Sequence, residues 1–201
     1  KRGRASRSVQ ALERVLPQAR EAAKRVNRVV ERLQRFAHLD RPVAIFVDLR
    51  RALDEALALL HHRVGEGVEV RRRYEPVPQV MADAGRLNEA LLNVLLNAVE
   101  AVDGQEGRIT LATRREGEDV VVEVGDNGQG IVPEHLPRVF EPGFTTRGVR
   151  VGLGLGLAIA QRNIEANGGG IDVHSRPGRG TTVVIRIPAG SSAEPGDGRH
   201  V

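Results

Sequence analysis

The stretch RLNEALLNVLLNAVEAV, Arg86 to Val102, constrains this chain more than any other. From Leu87 onward it holds no Gly or Pro, and nearly every residue is a good helix former. Leu91, Leu92, Val94, Leu95, Leu96 and Val99 cover most of a helix circumference, so the spacing predicts a buried helix. Asn93 and Asn97 interrupt the apolar run at an i, i+4 spacing, which puts both amides on one face, one turn apart. A buried amide is costly unless it is hydrogen-bonded or holds a ligand. Two readings stand at this point: core asparagines that satisfy neighbouring backbone, or amides that face a bound molecule.

The chain has 201 residues, room for one full domain and a smaller appendage. Hydrophobic residues make up 40% and aromatics only 2%, so the core must be aliphatic. No apolar run is long enough for a membrane span, and no apolar stretch follows the basic N-terminus as in a signal peptide. The expected setting is cytoplasmic. Cysteine is absent, which removes disulfides, thiolate zinc sites and cysteine nucleophiles. The net charge of +4 comes from 30 basic and 26 acidic residues. Nearly all the basic residues are Arg, so little titrates between neutrality and the sequence pI near 10.5, and that pI overstates the basicity. With no aromatic stacking platform either, nucleic acid is not an expected partner.

Along residues 1–42 the apolar positions Leu12, Val15, Ala19, Ala22, Val26, Val29, Leu33 and Phe36 step by three and four without a slip. That is the seam of an amphipathic helix, which cannot bury its stripe alone. Pro17 either kinks this helix or marks the first turn of its main part. Self-association as a homodimer is the expectation; packing on the chain's own domain is the alternative. Pro42 stops the helix. A linker is expected to about Val47, and Asp48 can cap a helix from Leu49 to His62. Val68 to Tyr74 reads as a strand, and Val77 to Met81 as a short extended piece. Strands at Ile109–Arg114 and Val120–Val124 flank a polar turn at Glu116 to Asp119, the pattern of a hairpin. Pro133 and Glu134 begin a short helix, and residues 141–153 form a long loop. A helix from Leu155 to Asn167 ends at Gly168-Gly169-Gly170. Strands at Ile171–Ser175 and Thr181–Ile187 close the domain, and the tail from 189 to 201 reads as disordered. Residues 43–188 therefore form the main domain: about five strands and three main helices without regular βαβ alternation. That favours an α/β (α+β) two-layer sandwich, helices on one face of a mixed sheet.

Three glycine segments follow the asparagine helix. Asp126-Asn127-Gly128-Gln129-Gly130 leaves the Val120–Val124 strand, with a carboxylate able to accept from an exocyclic amine and glycines that let a flat ring approach; Asp-Asn-Gly is also ordinary turn chemistry. Gly152-Leu153-Gly154-Leu155-Gly156 opens a helix, where backbone N–H groups and the dipole favour an anion. It is not a P-loop, and no strand of a βαβ unit leads into it. Between them lies Phe140-Glu141-Pro142-Gly143-Phe144-Thr145-Thr146-Arg147, in a loop of lid length. Thr145, Thr146 and Arg147 suit a phosphate and equally suit solvent. Gly178-Arg179-Gly180-Thr181 enters the last strand.

In this order the five segments resemble the ATP-binding catalytic domain of sensor histidine kinases, within the superfamily that includes DNA gyrase, over about residues 48–188. The stretch 1–42 resembles the second helix of the kinases' dimerisation and phosphotransfer hairpin. The resemblance implies that Asn97 coordinates Mg²⁺ and that Asn93 supports the metal and phosphates, an amide carbonyl being a fitting ligand for a hard cation. It implies that Asp126 reads the adenine amino group, that Thr181 assists through water, and that Gly128 and Gly130 let the base lie on the backbone. Gly152, Gly154 and Gly156 would cradle the phosphates, with residues 141–153, Thr145, Thr146 and Arg147 among them, as the lid; Ile131, Leu153 and Leu157 are further expected nucleotide-binding residues. The implied reaction moves the γ-phosphoryl group of ATP to a histidine, for relay to a response-regulator receiver domain. The family's phosphoacceptor motif is not found: His38-Leu39-Asp40-Arg41-Pro42 imitates it one residue short, at the far end of the other helix. The expectation is thus a piece that binds ATP and does not autophosphorylate. Hydrolytic members of the superfamily carry a water-activating glutamate where this chain has Asn93, and a neutral amide is no general base. Glu89 and Glu100 lie at other offsets on the same helix.

Overall fold

The computed structural model describes residues 43–65, 67–102, 106–145 and 154–190. The N-terminal amphipathic stretch with its self-association and His38 segment, most of the lid loop and the tail from 191 lie outside the described residues.

Among the described residues, seven strands and three α-helices follow in order: β1 (Ala44–Val47), α1 (Leu49–Leu59), β2 (Glu69–Tyr74), β3 (Val80–Asp83), α2 (Ala84–Ala101), β4 (Arg108–Glu116), β5 (Asp119–Asp126), α3 (Gly156–Glu165), β6 (Gly170–Arg176) and β7 (Gly180–Pro188), with a 3-10 helix Pro133–Arg138 after β5. Five strands form one mixed sheet in the order β2-β4-β5-β7-β6, parallel only between β2 and β4. The sheet buries one face against the helices. Ile109, Leu111, Val120, Val122, Val124, Ile185 and Ile187 share a core with Leu49, Leu53, Leu87, Leu91, Leu95 and Ile164. Successive strand residues point to opposite faces, so Val121 and Val184 belong to the other face. They too are buried, with Val121 in register between Arg114 and Arg186. Those arginines carry ion pairs to Glu123, Glu116 and Asp172. The two-layer sandwich expected from the sequence is the one observed.

Two local expectations are corrected. The linker expected to Val47 is instead β1, which pairs antiparallel with β3, Ala44 opposite Asp83. The extended piece expected at Val77–Met81 is shifted to Val80–Asp83 by that pairing. β3 alternates, with Val80 and Ala82 buried and Met81 exposed, whereas β1 does not, its Ile45 and Phe46 both lying exposed. Helix boundaries move for reasons visible in their caps. Asp48 caps α1 through Arg50 and Arg51 N–H, and α1 ends at Leu59, with Leu60 as its C-cap, rather than at His62. Asp83 caps α2 through Arg86 N–H, so this helix starts a turn earlier than its apolar pattern. The β4–β5 hairpin turns on Gly117, at φ +62°, as its two-residue loop requires. Ala189 N–H donates to Glu118 at 2.7 Å, tying the chain after β7 to that hairpin.

Candidate nucleotide site

Asn93 and Asn97 lie on α2, half-buried rather than enclosed. The Asn93 amide donates from Nδ2 to the Glu89 carbonyl at 2.9 Å, one turn back. That bond fixes the amide's sense and aims Oδ1 away from its own helix. What stands opposite is the start of α3. A Cβ on Gly156 would lie 3.6 Å from Asn93 Oδ1 and 3.6 Å from both amide atoms of Asn97. Both amides therefore converge on the first turn of a helix, whose N–H groups have no intrahelical partner and whose dipole favours negative charge. Leu155, the cap residue of α3, makes no side-chain cap hydrogen bond.

The other end of α2 meets the Asp126 loop. Asp126 closes β5, and its Oδ1 accepts from Gly128 N–H at 2.9 Å and from Thr181 N–H at 3.2 Å. A Cβ on Gly128 would overlap the Ala101 carbonyl at the end of α2, and one on Gly130 the Arg176 carbonyl. Gly130 also has φ +69°. Beside the room for a planar base that the sequence suggests, the missing Cβ atoms of these glycines admit a close approach of the chain to itself. Asn127 ties the loop to β4 through the N–H of Arg108 and the carbonyl of Glu106.

A hydroxyl pair completes this side. Ser175 Oγ donates to the Gly180 carbonyl at 2.9 Å, accepts from Ile131 N–H at 2.8 Å, and lies 2.9 Å from Thr181 Oγ1. Since the Ser175 proton is taken, Thr181 donates to Ser175 and keeps lone pairs for other partners. Ser175 was read only as a strand end. Its signal was its place opposite Thr181 across the Arg176–Gly180 turn.

Of the lid, Thr145 is described and exposed. The segment before it is anchored. Gly143 N–H donates to the Gly154 carbonyl at 3.0 Å. Phe144 sits beneath the Arg138 guanidinium, 4.6 Å from its ring centre, and meets the His135 ring edge-on at 5.4 Å. Gly154, at φ +66°, has no room for a Cβ beside the Phe144 carbonyl. Leu157 packs on the core below α3. Thr146, Arg147, Gly152 and Leu153 lie outside the described residues.

The described residues hold no group of three or more His, Cys, Asp or Glu able to bind a metal by themselves. They include no helix long and apolar enough to cross a membrane.

Comparison with known proteins yields one consistent result. Residues 82–191 match the family of histidine kinase-, DNA gyrase B- and HSP90-like ATPases. The chain is 35% identical over 169 residues to the sensor histidine kinase ZraS of Escherichia coli (strain K12), an alignment that takes in 83% of this chain and 36% of ZraS. The chain thus spans about a third of the length of that relative. It superposes on full-length ShkA in complex with AMPPNP with a TM-score of 0.66 at 32% identity, covering 74% of this chain and 31% of ShkA. The histidine kinase ThkA, solved in complex with the response regulator protein TrrA, gives a TM-score of 0.68 at 25% identity over 83% of this chain and 48% of that one.

Proposed function

The chain belongs to the family of histidine kinase-, DNA gyrase B- and HSP90-like ATPases, and from that premise we propose that it is the ATP- and Mg²⁺-binding catalytic core of a two-component sensor histidine kinase. One observation carries this reading: the Asn93 and Asn97 amides meet the Gly156 start of α3, where a polyphosphate would find amide oxygens on one side and helix N–H groups on the other. The donor set suits magnesium. A hard cation held by Asn97 Oδ1, phosphate oxygens and water needs no carboxylate cluster, and the half-buried amide supplies a neutral oxygen. When bound, the ion neutralises charge on the phosphates.

In the proposed mechanism this chain's residues bind and position. Asp126, held by Gly128 and Thr181 N–H, keeps a carboxylate at the end of β5 for the adenine amino group. Thr181, donating to Ser175, offers its oxygen to a bridging water. Asn93 steadies the phosphates beside Gly156, with Gly152, Leu153 and Gly154 around them and Ile131 against the base. Thr145, Thr146 and Arg147 belong to the lid. The group transferred is the γ-phosphoryl, and the acceptor is a histidine supplied by a dimerisation hairpin. Asn93, in place of the glutamate that activates water in hydrolytic relatives, favours transfer to an acceptor over hydrolysis. The heptad seam over residues 12–36 supports a homodimer, and ThkA's complex with TrrA supports a receiver domain as the next acceptor. The proposed setting is the cytoplasm, where ATP is available.

The test is incubation of the chain with radiolabelled ATP and a histidine-bearing hairpin domain from a related kinase. Label on the hairpin histidine is the expected result. Nucleotide binding without transfer would leave a regulatory module instead, and rapid phosphate release that survives Asn93→Ala would indicate an ATPase.

A further inference from the structure

The α2–α3 contact carries more polarity than a core contact needs. Among the described residues Asn163 on α3 is one of only two buried polar residues, 8% exposed in a stripe with Ile159, Ala160 and Ile164. An aliphatic side chain would suit that stripe. Instead the Asn163 amide donates from Nδ2 to Glu89 Oε2 on α2 at 3.0 Å. Asn167 repeats the arrangement a turn on: its Nδ2 donates to the Asn163 carbonyl at 2.8 Å, and its Oδ1 accepts from Asp83 N–H, at the cap of α2, at 2.7 Å. Glu89 is also the residue whose carbonyl orients the Asn93 amide. The polar contacts thus run as a ladder between the two helices, Asn167 to Asp83, Asn163 to Glu89, then Gly156 beside Asn93 and Asn97.

Apolar contact between helices is non-directional and sets no register by itself. A hydrogen bond from a buried amide to a carboxylate is directional and stronger than a neutral one. We propose that Asn163, through Glu89, is a positioning residue for the nucleotide site: the pair holds α2 and α3 at the register that brings Asn93 and Asn97 to the start of α3. The inference rests on the nucleotide-site reading above. It adds that the magnesium-dependent part of binding depends on a contact one helical turn from Asn93 along α2 and two turns from Gly156 along α3.

The test is a cycle of variants in the full chain, with ADP binding measured by calorimetry in magnesium and again in EDTA. Asn163→Asp sets two carboxylates against each other. Adding Glu89→Gln restores a hydrogen bond with its polarity reversed. Asn163→Asp should weaken ADP binding in magnesium about tenfold, and the double variant should return to within about twofold of the unaltered chain. Binding in EDTA should shift by less than about twofold throughout. If Asn163→Asp does not fold, Asn163→Leu removes the amide without adding charge and carries the same expectation. Equal affinity in magnesium for all variants overturns the inference alone, as does an equal loss with and without magnesium or a double variant that does not recover. An unaltered chain that binds no ADP overturns the nucleotide reading, and this inference with it.

Discussion

Asn97 and Gly156 face each other across the α2–α3 boundary, with 3.6 Å between the Asn97 amide and the position of a Cβ on Gly156. That distance is ordinary contact, so a methyl group fits the protein but occupies the place proposed for phosphate. Gly156→Ala should leave thermal stability unchanged or raise it slightly, since Ala is favoured over Gly in a helix by about 0.5–1 kcal/mol. It should at the same time weaken ATP binding in calorimetry. Affinity equal to that of the unaltered chain would remove Gly156 from the site.

Gly154 and Gly180 give the opposite expectation. Both have positive φ, +66° and +91°, and a Cβ on either would overlap a carbonyl, that of Phe144 or Asp126. Gly154→Ala and Gly180→Ala should each lower unfolding free energy by about 2 kcal/mol or more, because backbone has to move in both cases. Urea denaturation followed by circular dichroism checks this. Gly180→Ala should also weaken ATP binding, since Asp126 is bonded to the next residue's N–H.

Ser175 is a third lever. Ser175→Ala removes the acceptor for Ile131 N–H and the partner of Thr181. It should cost about 1–2 kcal/mol of stability. It should also weaken adenosine binding, because Thr181 loses its fixed orientation. A variant with normal adenosine affinity would confine Ser175 to a structural role.

Asp48 provides a pH-dependent check on the fold. The side-chain hydrogen bond from Arg50, helped by the Arg50 and Arg51 N–H groups and opposed by partial burial, draws its carboxyl below the usual range. A folded pKa below the unfolded one means stability that is present above the unfolded value and lost as pH falls through the folded one. Asp48→Ala should therefore cost about 1 kcal/mol at neutral pH. The gap to the unaltered chain should narrow as pH drops below the ordinary carboxylate range, followed by urea titrations at stepped pH.

The sequence made the layers and the asparagine helix legible because periodicity reports burial directly. Leu91, Val94 and Leu95 are buried, as their spacing implied, while Leu92 and Leu96 are only half-buried. It also put Asp126 at a strand end and Gly156 at a helix start. What it hid were contacts distant along the chain. β1 becomes a strand only by pairing with β3, and no pattern in Ala44–Val47 names that partner. Gly128 and Gly130 read as openings for a ligand, and nothing in the sequence indicated that their missing Cβ atoms also admit Ala101 and Arg176. Ser175 and Asn163 were invisible for a similar reason: one polar residue in a strand or helix has no period, and its partner is known only once the fold is.

The most direct test of the account is an ATP titration of the unaltered chain and of Asn97→Ala, each with magnesium and with EDTA. The account predicts that magnesium tightens binding to the unaltered chain and that Asn97→Ala abolishes this gain, while binding in EDTA and the thermal transition stay the same. A magnesium effect of equal size in both proteins would contradict it.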